Sequence, residues 1–162
     1  MLSSGTGTGT SDDKINSWGN HAFEHFKEVY HSEEAVEAGV QLLNTYQLLE
    51  AKDEARDPSW KDIVFNFTHL SSGDINKMGL PSKYVKGYKF GTFVIEQKYY
   101  MRYLTRKLNE QGVHFIQKRV NNLEEVTAQG FDLVVNCSGL GASVVAGDDS
   151  MYPIRGQVLR VK

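Results

Sequence analysis

The sequence contains a single cysteine, Cys137, among its 162 residues. One cysteine cannot form an intramolecular disulfide, which excludes a small disulfide-stabilised scaffold and indicates a reducing compartment. The sequence also lacks any apolar run as long as a membrane span. Its net charge of −2 includes no excess of basic residues, so nothing predicts a general electrostatic attraction to nucleic acid or to an anionic membrane.

The remaining composition is that of an ordinary globular protein, with 40% hydrophobic and 23% charged residues in a length typical of one domain. Residues 1–16 are an exception, because they are rich in Gly, Ser and Thr and are predicted to be flexible. This polar start does not resemble a secretory signal. We reject a phosphate-binding loop there, since no strand precedes the glycines and no lysine follows them at the required spacing.

Three segments carry helix signals. Apolar residues at helical spacing predict amphipathic helices over residues 18–31 and 97–111. Ser71 and Asp74 stand three residues apart, which is capping-box spacing, and predict a short helix over residues 71–78.

Other segments carry strand signals. Residues 63–70 alternate in the manner of a strand. Residues 84–96 are rich in aromatic and β-branched side chains and are interrupted by Gly87 and Gly91, which predicts two short strands or one bent strand. Residues 40–50 fit the helical and the strand pattern alike, and propensity alone favours a helix.

The C-terminal third alternates between helix and strand. After the helix over residues 97–111, we expect a strand over residues 113–120, a short helix over residues 122–127 and a buried strand over residues 131–136. This order indicates an α/β layer.

Small residues follow the last of these strands, in the sequence Asn-Cys-Ser-Gly-Leu-Gly at residues 136–141. Cofactors bind just past the carboxyl ends of strands in open α/β sheets, and a helix start is expected at Ser143. The segment is not a dinucleotide fingerprint, because its third glycine is replaced by Val144. A tight turn with nothing bound is the alternative interpretation.

Two further groups of residues have competing interpretations. His21 and His25, with Glu24 between them, have the spacing of metal ligands, but a solvated helix face explains them better. Lys98, Arg102, Arg106 and Lys107 form a basic face on the helix over residues 97–111. A nucleic-acid-binding face would carry aromatic residues among the basic ones. This face has none, so we expect a solvated surface.

The aromatic residues of the segment over residues 84–96 are also open to two interpretations. We expect them to form the core of a sheet, while the wall of a substrate cavity is the functional alternative. They are Tyr84, Tyr88, Phe90 and Phe93. Trp60 is expected to be a core anchor.

Three motifs near the C-terminus together resemble the D-aspartate oxidase/D-amino-acid oxidase family of FAD-dependent oxidases. They are Asp-Leu-Val-Val-Asn-Cys-Ser-Gly-Leu-Gly at residues 132–141, Ala-Gly-Asp at residues 146–148 and Pro-Ile-Arg-Gly-Gln-Val-Leu at residues 153–159. The first is most similar to the D-aspartate oxidase branch. Asp-Pro-Ser-Trp-Lys-Asp at residues 57–62 is similar to the D-amino-acid oxidase branch.

The resemblance implies a mixed α/β (α+β) fold, in which part of an FAD-binding α/β layer is joined to part of an antiparallel-sheet substrate domain. Residues 1–96 would belong to the substrate domain, residues 97–151 to the FAD-binding layer and residues 152–162 to a strand that returns to the substrate domain. It also favours a strand over residues 40–50.

The same resemblance implies FAD contacts at Val120 and Ser138, with Arg119 and Gly139 as weaker candidates. The implied reaction transfers the Cα hydrogen of a D-amino acid to the flavin as hydride and consumes oxygen, giving a 2-oxo acid, ammonia and hydrogen peroxide. Acidic D-amino acids are the first expectation, neutral ones the second, and a truncated protein without catalysis the third. No protein base is required, so no catalytic residue is assigned.

The chain departs from the family pattern in two ways. The Gly-x-Gly-x-x-Gly turn expected before Met1 and the arginine that binds the substrate carboxylate, expected after Lys162, are not found. We therefore expect an internal piece of an oxidase that binds FAD poorly by itself, has no turnover and leaves sheet edges and apolar surface exposed. A peroxisomal location is implied by the family alone, and a cytoplasmic location is the alternative.

Overall fold

An antiparallel sheet of three strands in the order β1-β3-β2 organises the N-terminal part of the computed structural model. The structure describes residues 10–53, 56–153 and 155–159. It divides into two compact units, Met1–Val113 and His114–Lys162. The first unit contains α1 (Asp12–His31), α2 (Ala35–Ala38), β1 (Val40–Glu50), β2 (Phe65–Ser71), α3 (Ser72–Lys77), β3 (Tyr84–Ile95) and α4 (Gln97–Glu110). The second contains α5 (Glu124–Thr127), the 3₁₀ turn Gly139–Gly141 and α6 (Ala142–Val145).

Helix α1 confirms the predicted amphipathic helix and begins earlier than predicted. Asp12 and Asp13 occupy its first turn, where the positive end of the helix dipole stabilises their carboxylates. The flexible interpretation of residues 1–16 is therefore wrong for residues 12–16, while residues 1–9 lie outside the described part. The Phe23 ring is buried, with its centroid 5.0 Å from each of the Phe65 and Phe93 rings.

The central strand β3 is one continuous strand of twelve residues, which decides between the two predicted forms. It pairs with β1 from Val40↔Ile95 to Glu50↔Tyr84, so residues 40–50 form a strand, as the family resemblance favoured. Pairing with β2 includes Phe65↔Gly91. A side chain at Gly91 would place its Cβ 3.1 Å from Phe65 Cβ, so glycine permits the close approach of these two strands.

Helix α3 has the capping box that the sequence predicted. Ser71 Oγ accepts a hydrogen bond of 3.2 Å from the Asp74 backbone N–H, and the Asp74 carboxylate accepts one of 2.9 Å from the Ser71 N–H. Both bonds satisfy backbone N–H groups at the start of the helix, which have no carbonyl partner within the helix. Asp74 performs this role in place of the more common Glu.

Helix α4 confirms the predicted helix, but its basic face is only partly a solvated surface. Lys98 and Arg102 are exposed. Arg106 forms ion pairs with Glu34, Glu37 and Glu110, at N–O distances of 3.1, 2.7 and 2.7 Å. The structure thus corrects the expectation for this half of the face, because acidic residues around α2 lie opposite it.

The second unit departs furthest from the predictions. Helix α5 forms as expected, but residues 113–120 and 131–136 are not in regular strands. The prediction of a buried strand is wrong: the side chains of Leu133 and Val135 are 78% and 72% exposed. A strand needs a neighbour to bond its backbone groups, and no strand within the described residues pairs with either segment.

The remaining described residues of the predicted final strand, 152–153 and 155–159, are not in a regular strand either, and residues 154 and 160–162 lie outside the description. Among all described residues, no helix combines the length and apolar composition needed to cross a membrane. The mixture of helices with an antiparallel sheet confirms the mixed fold class.

Candidate cofactor-binding turn

The small-residue segment over residues 136–141 forms a turn held by the side chain of Asn136. The Oδ1 atom of Asn136 accepts a hydrogen bond of 3.1 Å from the Ser138 backbone N–H and one of 2.7 Å from Ser138 Oγ. Asn favours such side-chain-to-backbone turns because its short amide reaches the backbone two residues ahead. Asn136 is thus a positioning residue for Ser138, a role that the sequence motif did not indicate.

Gly139 begins the 3₁₀ turn with a positive φ of 56°. An L side chain is strained in this left-handed region, and glycine is not. A Cβ built at Gly139 meets no atom within 4 Å. The backbone at this position is therefore open to an approaching group.

Helix α6 follows the turn and confirms the helix start expected near Ser143. Its first residue, Ala142, is buried. The Ala142 carbonyl accepts hydrogen bonds from the N–H groups of Ala146 at 2.9 Å and Asp148 at 3.2 Å. The turn is consequently anchored at its C-terminal side, while Ser138 and Gly139 stay exposed.

Arg119 and Val120 lie at the end of the segment without regular secondary structure that precedes α5, in the same unit as the turn. Val120 is half-buried and Arg119 is exposed. The next residue, Asn121, donates to Glu125 from its side chain at 3.0 Å and from its backbone at 3.4 Å. These bonds hold the pKa of the Glu125 carboxyl below its usual value, and they fix the backbone just after Val120.

The groups presented by the turn have a definite chemical character. The Ser138 hydroxyl and the glycine backbone are neutral hydrogen-bonding groups. Such groups are suited to holding a polar ligand at the end of a chain segment. They are unsuited to proton transfer near neutral pH, because a serine hydroxyl does not titrate there.

The histidine pair on α1 does not form a recognisable metal centre. His25 Nε2 lies 2.7 Å from the Tyr100 hydroxyl of α4, within hydrogen-bond distance. Throughout the described ranges, no group of three His, Cys, Asp or Glu side chains is arranged to hold a metal ion. His25 therefore links α1 to α4 through its contact with Tyr100.

The aromatic residues of β3 form the core of the sheet. Tyr88, Phe90 and Phe93 are buried, and the Phe90 ring centroid lies 4.9 Å from that of Trp60. This confirms the core interpretation of these three residues, and Trp60, which is half-buried, packs against that core through Phe90. Tyr84 is half-buried, with Lys83 Nζ 4.8 Å from its ring centroid.

Comparison with known proteins points to one family. A family model described as DAO, FAD dependent oxidoreductase, matches residues 1–162. D-aspartate oxidase of Homo sapiens is 34% identical over 145 residues, which are 90% of this chain and 41% of that protein. D-aspartate oxidase 1 of Caenorhabditis elegans is 34% identical over 155 residues, 93% of this chain and 46% of that protein.

A bacterial relative has a different name. D-amino-acid oxidase of Rubrobacter xylanophilus is 34% identical over 150 residues, which are 93% of this chain and 43% of that protein. The chain therefore spans less than half the length of each of these three relatives.

Proposed function

Because this chain belongs to the DAO family of FAD-dependent oxidoreductases, we propose that it forms part of an oxidase that deaminates D-amino acids, with acidic ones such as D-aspartate preferred. The observation that carries the proposal is the similarity to D-aspartate oxidases, which for the human protein extends over 90% of this chain. The products are a 2-oxo acid, ammonia and hydrogen peroxide.

FAD is the family's cofactor, and the residues of the turn fit it. The Gly139 backbone faces open space that a side chain would fill, and Ser138 presents an exposed hydroxyl. We propose that Ser138 and Gly139 hold the cofactor by hydrogen bonds. Val120 and Arg119 contact it from the segment before α5. When bound, FAD accepts the hydride from Cα of the substrate.

The proposed assignment of residues to domains follows the family resemblance. We propose that residues 1–96 contribute to the substrate domain, residues 97–151 to the FAD-binding domain and residues 152–162 to a strand returning to the substrate domain. Under this proposal the 162-residue chain alone binds FAD poorly and has no turnover. Purified chain carrying one flavin per molecule would contradict it.

A preference for neutral D-amino acids is the second candidate. It is supported by the identity of 34% to the Rubrobacter xylanophilus D-amino-acid oxidase and by the Asp-Pro-Ser-Trp-Lys-Asp sequence at residues 57–62. A peroxisomal location is proposed from the resemblance, and imaging of the tagged protein tests it.

The test is oxidation of D-aspartate and D-alanine by the protein from the complete reading frame that encodes these residues, measured as hydrogen peroxide. Peroxide from D-aspartate at the higher kcat/KM supports the acidic preference, and the reverse order supports the neutral one. Peroxide from neither overturns the oxidase proposal.

The amount of bound flavin tests the proposed cofactor site independently of the oxidase activity. In the protein from the complete reading frame, Gly139→Asn fills the open space with a residue that tolerates positive φ, and we expect it to lower the amount of flavin bound per protein molecule. Gly130→Asn is the matched control, since Gly130 also has a positive φ, 86°, and open surroundings. Equal flavin content in the two variants would remove Gly139 from the site.

A further inference from the structure

One carboxylate links the turn at residues 57–63, here called the Trp60 turn, to the sheet. Asp57 Oδ1 lies 2.7 Å from His69 Nε2 of β2, and Asp57 Oδ2 accepts a hydrogen bond of 2.9 Å from Lys61 Nζ. Lys61 belongs to the turn itself, whereas His69 belongs to the sheet. The Asp57–His69 contact is therefore the one that requires the turn to lie against β2.

The Trp60 turn covers part of the aromatic core. The Trp60 ring centroid lies 4.9 Å from that of Phe90 and 6.1 Å from that of Phe67. The Ile63 N–H donates a hydrogen bond of 3.0 Å to the Trp60 carbonyl. Opening of the turn would uncover both phenylalanine rings and, by breaking the turn's own hydrogen bond, expose the Ile63 amide to water.

His69 can bind and release a proton without breaking another contact. Its side chain is 64% exposed, and among the described residues only Asp57 forms a hydrogen bond with its ring, through Nε2. Histidine is the side chain that ordinarily changes charge between about pH 5 and 8. Protonation makes the ring a cation, and a hydrogen bond between opposite charges is stronger than one with a neutral ring.

The titratable groups that touch this contact keep their charge over the same range. The hydrogen bond from Lys61 first, and that from His69 second, hold the pKa of the Asp57 carboxyl below its usual value, so it stays ionised. The hydrogen bond to Asp57 raises the pKa of Lys61. Burial first, and the charge of Asp57 second, raise the pKa of Tyr88, which lies opposite His69 in the sheet.

The charged residues of the surrounding elements are Arg, Asp and Lys, whose side chains carry a constant charge in this range. They lie in or next to the turn, beside Tyr88 on β3 or on α3, which follows β2: Arg56, Asp62, Lys86, Lys89, Asp74 and Lys77. Within the described residues around this contact, the charge therefore changes only at His69.

From this geometry we propose that His69 and Asp57 form a pH-sensitive switch, which holds the Trp60 turn on the sheet while His69 is protonated and loosens it when His69 is neutral. The switch is a property of the first unit and does not depend on the oxidase proposal. Closure is favoured at acidic pH and weakens as the pH rises through the range of histidine titration. Since exposed ion pairs have small effects, the open fraction should change about two- to fivefold.

Amide hydrogen exchange of Ile63 in the 162-residue chain measures how often the turn opens, because exchange requires the hydrogen bond to Trp60 to break. The protection factor is the intrinsic exchange rate divided by the observed rate, which corrects for the direct effect of pH on exchange. We expect this factor to fall about two- to fivefold from about pH 5 to pH 8. An unchanged protection factor would overturn the proposal.

Three variants separate the charge of His69 from its shape. His69→Lys retains a positive charge at both pH values and should keep the turn protected at both. His69→Gln is neutral at both and should give the lower protection factor at both. His25→Gln is the matched control: His25 also lies 2.7 Å from a side-chain oxygen, that of Tyr100, and this variant should retain the pH dependence of the native chain.

Asp57→Asn removes the charge on the other side of the contact, so it tests the switch without any change at position 69. It should abolish the pH dependence of the Ile63 protection factor. A pH dependence that persists in Asp57→Asn, His69→Gln or His69→Lys would overturn the proposal, and so would its loss in His25→Gln.

Discussion

Lys107 Nζ donates a hydrogen bond of 3.1 Å to each carboxylate oxygen of Glu34, across 73 residues of sequence. Arg106 and the Tyr103 hydroxyl donate to the same carboxylate, at 3.1 and 3.0 Å. These three residues of α4 thus converge on the residue that precedes α2. Their hydrogen bonds, that of Lys107 first, lower the pKa of Glu34 from its usual 4.5 to about 2.

The pKa of Glu34 predicts an acid-sensitive contribution to stability. Because the folded-state pKa lies below the unfolded value, the network stabilises the fold above pH 4.5 and loses this effect as the pH falls toward 2. Glu34→Gln removes the titrating group. We expect a lower Tm for Glu34→Gln near neutral pH and a difference that narrows over this acidic range, measured by thermal unfolding at each pH.

Salt provides the control for this prediction, since exposed ion pairs are screened. The difference in Tm between the two proteins should shrink at high ionic strength near neutral pH. A difference that is constant with pH would mean that Glu34 contributes through packing rather than charge.

Truncation of Phe90 should be costly. Its side chain is 2% exposed and packs against Trp60 and Phe67. Phe90→Ala is expected to lower the free energy of unfolding by about 3–5 kcal/mol, because it removes buried apolar area and leaves a void. Phe115→Ala is the matched control: that ring is 58% exposed, and we expect a change within about 0.5 kcal/mol. Urea unfolding measures both, and equal losses would contradict the assignment of the core.

Removal of the capping box of α3 should have a smaller effect on stability. Ser71→Ala removes the hydroxyl that accepts from the Asp74 N–H and should cost about 1 kcal/mol. Ser72→Ala, one residue further along, changes an exposed residue of the first helical turn and serves as the control. Urea unfolding measures both changes, and a cost for Ser72→Ala as large as that for Ser71→Ala would show that the cap is not the cause.

Cys137 offers a chemical probe of the proposed cofactor site. It is exposed and directly precedes Ser138. If the turn holds FAD, the cofactor should slow alkylation of Cys137 by iodoacetamide severalfold, followed by mass spectrometry of the peptide from the complete protein. Gly139→Asn should abolish this protection. Alkylation of the native protein at the same rate with and without FAD would argue against cofactor contact at the turn.

The first unit was largely predictable because its signals are local. The helical spacing around Phe23 and the alternation around Phe65 were sufficient to predict α1 and β2. The partners of Arg106 were not predictable, since Glu34 and Glu37 lie 72 and 69 residues away and periodicity carries no information about such distances. For this reason the sequence predicted only a solvated surface for the basic face.

The second unit shows the limit of the same reasoning. The apolar run at residues 133–135 predicted a buried strand, but β-propensity measures fit to a sheet and requires a neighbouring strand. In the described residues Leu133 has no such neighbour and is exposed. A tight turn at residues 136–141 was one of the two interpretations of its small residues. The role of Asn136 in holding Ser138 was not, because it depends on side-chain geometry.

The strand order β1-β3-β2 also determines when the sheet can form during synthesis. The central strand is the last of the three in the chain, and β1 and β2 do not bond to each other. At about 5–20 residues per second, the ribosome needs several seconds to proceed from the end of β1 to the end of β3. During that interval β1 stays unpaired from the start and β2 from its completion at Ser71, so a chaperone bound to residues 40–71 would prevent their premature association with other chains.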